Sequence, residues 1–332
     1  MKQNYYQIVI LAFFLWGCQQ NEAKPEVIPP EVKPQECADI TLRIEVATDD
    51  TEYNFIDLLG RGFDCKKSII KGYTHIRSRV LDIDRLQNEV EKSRFYQSGD
   101  FIINGEKNLK RYIDNIYLNS RVNAKIGDEV LNLFAEDVGN TEENLQSNEF
   151  YKVEYIRPTG RFTLFDTYPE YLYNFLSKEF IDDLEKCSGD EIVIRYGTHV
   201  LTDILLGGYM SISCTAKHDK NQYDVDLKRQ AQYYSYEIFS SNYSVNPARV
   251  FAGYDEVKIH VRVIGGVESH ITLRKENEIS GYQNWNESID YQKGKLIGIG
   301  QSTTRIYLIS DFIQDAKKKS EIKDAILKYC NH

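Results

Sequence analysis

From Glu256 to Ile264 apolar and polar positions alternate almost without a break: Val257, Ile259, Val261 and Val263 on one side, Lys258, His260 and Arg262 on the other. A period of two places those sides on opposite faces of a half-buried strand. Leu42, Ile44 and Val46 alternate in the same way, and Phe101–Ser120 and Glu149–Leu164 (with Phe150, Val153, Tyr155 and Ile156) read as mixed β stretches. Between those two, residues 122–147 carry a helical pattern, with Val130, Leu133, Phe134 and Val138 at i, i+3, i+4 and i+8. Pro169 opens an amphipathic helix whose inward face is Leu172, Phe175, Leu176, Phe180 and Leu184. Three β-rich runs follow: Glu191–Arg195, Val200–Leu206, and a third through Met210, Ile212 and Cys214. Residues 215–246 are polar and mixed. Tyr223, Val225 and Leu227 alternate with charges, while Ala231, Tyr234, Ile238 and Phe239 line a helix. A helical stretch at Trp285–Ile289, a strand at Ile306–Ile309 and a helix over Phe312–Tyr329 complete the pattern.

The first 38 residues lie outside it. Lys2 followed by the short apolar run Ile8–Trp16 reads as a targeting segment, too short to span a bilayer comfortably. Leu15-Trp16-Gly17-Cys18 resembles a bacterial lipobox, which implies lipidation of Cys18 and removal of residues 1–17. Pro25, Pro29, Pro30 and Pro34 then fall among charges, so residues 18–38 read as an extended tether and 39–332 as one folded domain. The expected location is a lipid anchor on a bacterial (outer) membrane, with the domain exported and surface-exposed or released.

Charge narrows the partners. The chain of 332 residues carries a net −9, and Lys2 is the only charge in residues 1–17, so the processed chain is −10. Nucleic-acid binding needs a basic excess and is excluded. Anionic lipid has no general attraction for such a chain, so membrane binding falls to a local patch or a receptor. Cys37, Cys65, Cys187, Cys214 and Cys330 remain beyond the lipobox; an odd number leaves at least one unpaired, and spacing does not give the pairing. No cysteine or histidine spacing suits zinc, and there is no Gly-x-Ser-x-Gly elbow or His-Glu-x-x-His. Neither an enzyme nor a cofactor is expected. His199 and Asp203 are the one polar pair of interest, and four residues along a strand separate them by roughly 13 Å.

The most informative stretch is Tyr196-Gly197-Thr198-His199-Val200, six residues, then Gly207-Gly208. Paired glycines inside a strand-like run imply a bulge, a bend or a close approach of other backbone. A second pair, Gly265-Gly266, closes the alternating strand, and Trp285 and Ser288 follow as Trp-x-x-Ser. In this order the residues resemble the signature of the membrane attack complex/perforin (MACPF) family, with Val200 where the family usually has Tyr or Phe. Leu58 to Asp64, with Gly60 and Gly62, is similar to the Gly-rich opening of bacterial relatives. The resemblance covers roughly residues 40–330.

It implies an α+β fold: a bent, twisted, antiparallel four-stranded central sheet flanked by two helical clusters, here residues 122–147 and 215–246. In the family such clusters unfurl into membrane-crossing hairpins, which need roughly 20–24 residues each. Asp128 breaks the alternation of the first insert, and the adjacent Lys228 and Arg229 would put a charge against lipid at a cost of about 2–4 kcal/mol. The expected function is a pore-forming antagonist of other cells. It would oligomerise as a ring or arc on a target-cell membrane or surface receptor, with Gly207 and Gly208 as the hinge. Valine at both glycines is then expected to block insertion and leave the monomer folded. The alternative is a non-lytic adhesion or recognition lipoprotein, favoured by the polar inserts and by the expected absence of a C-terminal binding module.

Overall fold

The computed structural model describes residues 39–46, 55–66, 75–95, 99–106, 123–126, 129–132, 148–165, 168–218, 226–240, 245–274, 278–299 and 307–331. Along the chain the strands are β1 (Asp39–Val46), β2 (Arg61–Phe63), β3 (Ile76–Arg79), β4 (Val90–Arg94), β5 (Asp100–Glu106), β6 (Asn123–Ile126), β7 (Glu129–Asn132) and β8 (Asn148–Leu164). Helices α1 (Pro169–Leu172), α2 (Lys178–Lys186) and α3 (Gly189–Tyr196) lead to β9 (His199–Val200) and β10 (Asp203–His218). Then come α4 (Leu227–Ser240), α5 (Pro247–Val250), β11 (Tyr254–Ile264), β12 (Thr272–Leu273), β13 (Ile279–Ser280), α6 (Tyr282–Ser288), β14 (Lys295–Ile299), β15 (Tyr307–Leu308) and α7 (Ala316–Asn331).

Among the described residues the large sheet has seven strands. Its middle is the antiparallel set β5–β8–β10–β11; β1 joins β11 in parallel, β4 extends β8, and β14 pairs with β10. The four expected strands are therefore the centre of a wider sheet. β10 is one strand where the sequence suggests two: Val200–Leu206 and Met210–Cys214 are joined through Gly207-Gly208 rather than separated by them. A small second sheet, β15–β9–β2–β3, sits beside it.

The long strands bend at a register shift. Leu206 pairs with Gly160, yet Gly207 pairs with Pro158, so Thr159 is an extra residue on β8. One inserted residue flips the parity of everything beyond it. Below the bulge Tyr151, Val153 and Tyr155 enter one core with Met210, Ile212, Cys214, Val257, Ile259 and Val261. Above it Phe162 and Leu164 enter another, with Leu172, Phe180, Tyr196 and Ile204. The carbonyl of Thr159 accepts from the amide of Phe95, so the displaced peptide stays satisfied.

Several expected elements change identity. Glu191–Arg195 is α3, not a strand, despite Ile192, Val193 and Ile194. Ser188 and Glu191 form a reciprocal capping box, and burial at Ile192, Val193 and Tyr196 with Ile194 exposed follows a helical period. The helix opened by Pro169 stops at Leu172; a 3₁₀ turn follows, and Ser177 caps a fresh helix, α2, by accepting from the amide of Phe180. Of the first insert, the described part is the antiparallel pair β6 and β7 rather than a helix, with Val130 opposite Lys125. Leu133, Phe134 and Val138 lie outside the described residues. The second insert does hold a helix, α4, which buries Ala231, Tyr234 and Ile238 against the lower core. Among the described residues no helix is long and apolar enough to cross a membrane.

Candidate functional site

The signature turn is a buried knot. α3 ends at Gly197, whose φ of +82° an L side chain rarely adopts and whose Cβ would lie 2.6 Å from the carbonyl of Phe63. The amide and hydroxyl of Thr198 both donate to that carbonyl, at 2.8 and 3.0 Å. The same hydroxyl accepts from the amide of Cys65 and lies 2.7 Å from Nδ1 of His199. β9 is only two residues long and pairs with β2 on one side and β15 on the other, so Thr198 and His199 tie the chain's opening and closing segments together.

Tyr196 packs edge-on against Phe180, 4.8 Å between centroids, and its hydroxyl donates to Oδ2 of Asp183 at 2.7 Å. Arg195 donates to the same oxygen. The Tyr196 bond first, then the Arg195 guanidinium, hold the Asp183 carboxyl below its ordinary value, while burial and that carboxylate push the Tyr196 hydroxyl up. These groups are structural in character, because each is buried or paired with another group of the same cluster.

The second half of the signature is a joint between strands. A Cβ on Gly207 would lie 2.0 Å from the carbonyl oxygen of Arg157, on the neighbouring strand. A Cβ on Gly265, which sits at φ +75°, would lie 2.2 Å from the carbonyl oxygen of Gly207. The two Gly-Gly pairs are thus one contact, at the point where β8 and β10 bend and β11 ends.

Helix α6 closes over this joint. The indole N–H of Trp285 donates to the carbonyl of Gly265 at 2.7 Å. Ser288 Oγ donates to the Trp285 carbonyl at 2.6 Å and accepts from the Val267 amide at 2.7 Å. Gly266 lies beside Ser288 and Ile289, and Gly208 beside Ile289. Valines at Gly207 and Gly208 would therefore not leave the monomer unchanged, because the first would drive a side chain into the Arg157 backbone.

Other residues complete the grip. Asn286 Oδ1 accepts from the Tyr155 hydroxyl at 2.8 Å and from Arg157 at 3.1 Å, and Arg157 also donates to the Asn286 carbonyl. Glu268 accepts from the Gly265 amide at 2.9 Å and pairs with Lys295 at 3.0 Å. Above the bend, Arg161 grips Asp203 with two hydrogen bonds, which raise the already high guanidinium value. Sequence reasoning missed Asn286, Arg157, Glu268 and Thr159. Asn286 stands between Trp285 and Ser288, which was the available signal; the others have none.

The sheet face opposite α4 is polar. Lys152 and Glu154 are both fully buried on β8, with Nζ 3.0 Å from Oε1 but off hydrogen-bond alignment, so the attraction is one of charge. Tyr209 donates to the same Oε1 at 2.6 Å. Ser211 and Ser213 lie opposite on β10, and Arg262 and His260 reach Glu45 of β1 on the next strands, at 3.3 and 3.2 Å. Cys18 lies outside the described residues. Among the described residues no cluster of three His, Cys, Asp or Glu side chains is placed to hold a metal.

Comparison with known proteins agrees with this geometry. A MACPF (MAC/Perforin domain) sequence family matches residues 52–332. No curated protein matches by sequence. Among solved structures, a MAC/Perforin-domain protein from Bacteroides thetaiotaomicron VPI-5482, named for cell invasion, superposes with a TM-score of 0.61 at 17% identity, covering 86% of this chain and 62% of its own. GNIP1Aa from Chromobacterium piscinae superposes with 0.63 at 15% identity, covering 83% of this chain and 56% of its own. The chain thus spans less than two thirds of either neighbour, and likeness at these identities shows the fold. With the family match running from the strand-opening glycines to the C-terminal helix, the chain belongs to the MAC/Perforin domain family.

Proposed function

We propose that this protein is a lipid-anchored, pore-forming antagonist that oligomerises on a target-cell membrane and inserts two β-hairpins. The supporting observation is where the two inserts sit. One lies between β5 and β8, whose ladder reaches Glu106 opposite Phe150; the other lies between β10 and β11, whose ladder reaches His218 opposite Tyr254. Both pairs are antiparallel neighbours, so an insert that unfolds only has to lengthen a ladder that already exists. The stretches between those strands, residues 107–147 and 219–253, hold most of the inserts and run to roughly 40 and 35 residues, so each arm reaches about 55–65 Å at about 3.3 Å per residue. A hydrocarbon core near 30 Å needs about 9–11 residues per strand.

The glycine joint supplies the movement. Straightening β8 and β10 requires the backbone contact between Gly207 and Gly265 to open, and α6 holds it shut through Trp285 and Ser288. Once α4 leaves, the apolar face of Met210 and Ile212 on β10 and of Val257 and Ile259 on β11 is uncovered, while the buried charges of Lys152 and Glu154 lie on the other face. One apolar and one polar face is the division a membrane barrel needs.

The test is dye release from vesicles made of target-cell lipid extracts, with electron microscopy of the same samples. Leakage with rings or arcs supports the reading. Tight binding to a cell-surface partner with no leakage from any membrane replaces it with the non-lytic adhesion reading, for which the adjacent charges Lys228 and Arg229 in the second insert speak.

A further inference from the structure

Two cysteines 265 positions apart in sequence meet in the fold. Cys65 follows β2, Cys330 lies at the end of α7, and their sulfurs are 3.8 Å apart. Their surroundings hold them there. The Tyr329 hydroxyl donates to Asp64 at 2.9 Å, and Lys66 donates to the Tyr329 carbonyl at 2.9 Å while standing 5.1 Å over its ring. Arg77 pins Asp64 from the other side at 2.6 Å. Both neighbours of Cys65, and Tyr329 before Cys330, are therefore already fastened. A disulfide needs the sulfurs at about 2.05 Å, and the half-buried Cys330 is the side chain with more room to turn toward its buried partner.

We propose that Cys65 and Cys330 form a disulfide that staples the C-terminal helix α7 to the signature turn. The link acts on the signature because the Cys65 amide donates to the Thr198 hydroxyl at 3.2 Å. The other two described cysteines lie elsewhere: Cys214 is inside the lower core and Cys187 caps the end of α2. The inference stands apart from the pore reading, since a staple at this end of the fold serves an adhesion protein as well.

The chemistry is thiol–disulfide exchange with a small or protein disulfide as the oxidant. The Cys330 sulfur attacks one sulfur of the oxidant and releases the other as a thiol. The Cys65 sulfur then attacks the mixed disulfide at Cys330, forming the new S–S bond and releasing the oxidant's second thiol. Both cysteine protons and the two electrons end on the reduced oxidant. Cys330 suits the first step, because the hydrogen bond from Cys65 and then the Lys66 ammonium hold its thiol below the ordinary value; the same contact, followed by burial, pushes Cys65 up.

The experiment treats the full chain with oxidised glutathione, alkylates it in denaturant, and maps its peptides by mass spectrometry. One linked Cys65–Cys330 peptide, lighter by two hydrogens than its two halves, is expected, with a Tm several degrees above that of the reduced protein. Cys330→Ser should abolish the rise and Cys187→Ser should keep it. Separate alkylation of Cys65 and Cys330, or glutathione on each, overturns the proposal, as does a link that leaves Tm unchanged. If Cys330→Ser does not fold, the wild-type peptide map still decides.

Discussion

A Cβ on Gly265 would lie 2.2 Å from the carbonyl oxygen of Gly207, so the two glycine pairs of this chain are one backbone contact made from opposite ends. The contact explains why both pairs occur, and it separates glycines that are interchangeable in sequence. Gly265→Ala combines a backbone overlap with a φ of +75°, a conformation that alone costs about 1–3 kcal/mol. Gly208→Ala carries no left-handed φ and meets side chain rather than backbone, with Cδ1 and Cγ1 of the buried Ile289 at 2.3 and 2.7 Å. Urea unfolding should show the larger loss of stability for the first, and for the second the roughly 1–3 kcal/mol of an overpacked core. Equal losses would mean that the backbone contact is not what holds the bend.

Trp285→Phe keeps the ring in the core and deletes the donor to the Gly265 carbonyl. An orphaned buried carbonyl costs about 1–3 kcal/mol. Amide exchange at Gly265, Gly266 and Val267 should speed up more than exchange in β1. On the pore reading, the loosened latch should also raise the rate of dye release at fixed protein concentration. Unchanged exchange at those amides would remove the latch from the account.

Lys152→Met leaves Glu154 as a buried carboxylate with the Tyr209 hydroxyl still bonded to it but its counter-charge gone. Breaking one partner of a buried pair costs about 3–5 kcal/mol, whereas replacing both with apolar groups is often neutral. Lys152→Met/Glu154→Leu should therefore be more stable than Lys152→Met in a denaturant titration. A double variant no better than the single would show that the pair's charges are not coupled.

Asp183 sets an acid limit. Its folded value lies below the ordinary carboxylate value, so the unfolded chain binds more protons than the folded one as pH falls through that range. The contribution is complete above the ordinary value near 4 and is lost as pH drops through the lower, folded value. Tyr196→Phe removes the largest cause and should flatten the acid limb of a stability-against-pH curve; thermal melts between pH 2 and pH 6 would show it. An acid limb that keeps its slope in this variant would place the dependence on other carboxylates.

How much was legible depended on the kind of signal. The alternation in 256–264 became β11 because one face of that strand is buried and the other polar, the condition that a period of two reports. Ile192, Val193 and Ile194 misled because β-branched side chains favour strands only when no helix competes. Here the Ser188/Glu191 capping box and the burial of Ile192, Val193 and Tyr196 outweigh that preference. The parity change in β8 was invisible because Thr159 has no property that marks it as an extra residue; only its lack of a partner on β10 does.

The chain by itself determined the family and singled out the two glycine pairs, Trp285 and Ser288, because these are local patterns and fixed spacings. It did not determine that Gly265 rests on Gly207, that Trp285 and Ser288 close over them, or that Cys65 faces Cys330. Those relationships join segments that lie tens to hundreds of residues apart. Nothing in a periodicity encodes a distance across the fold: the sheet register and the packing of α6 and α7 settle it.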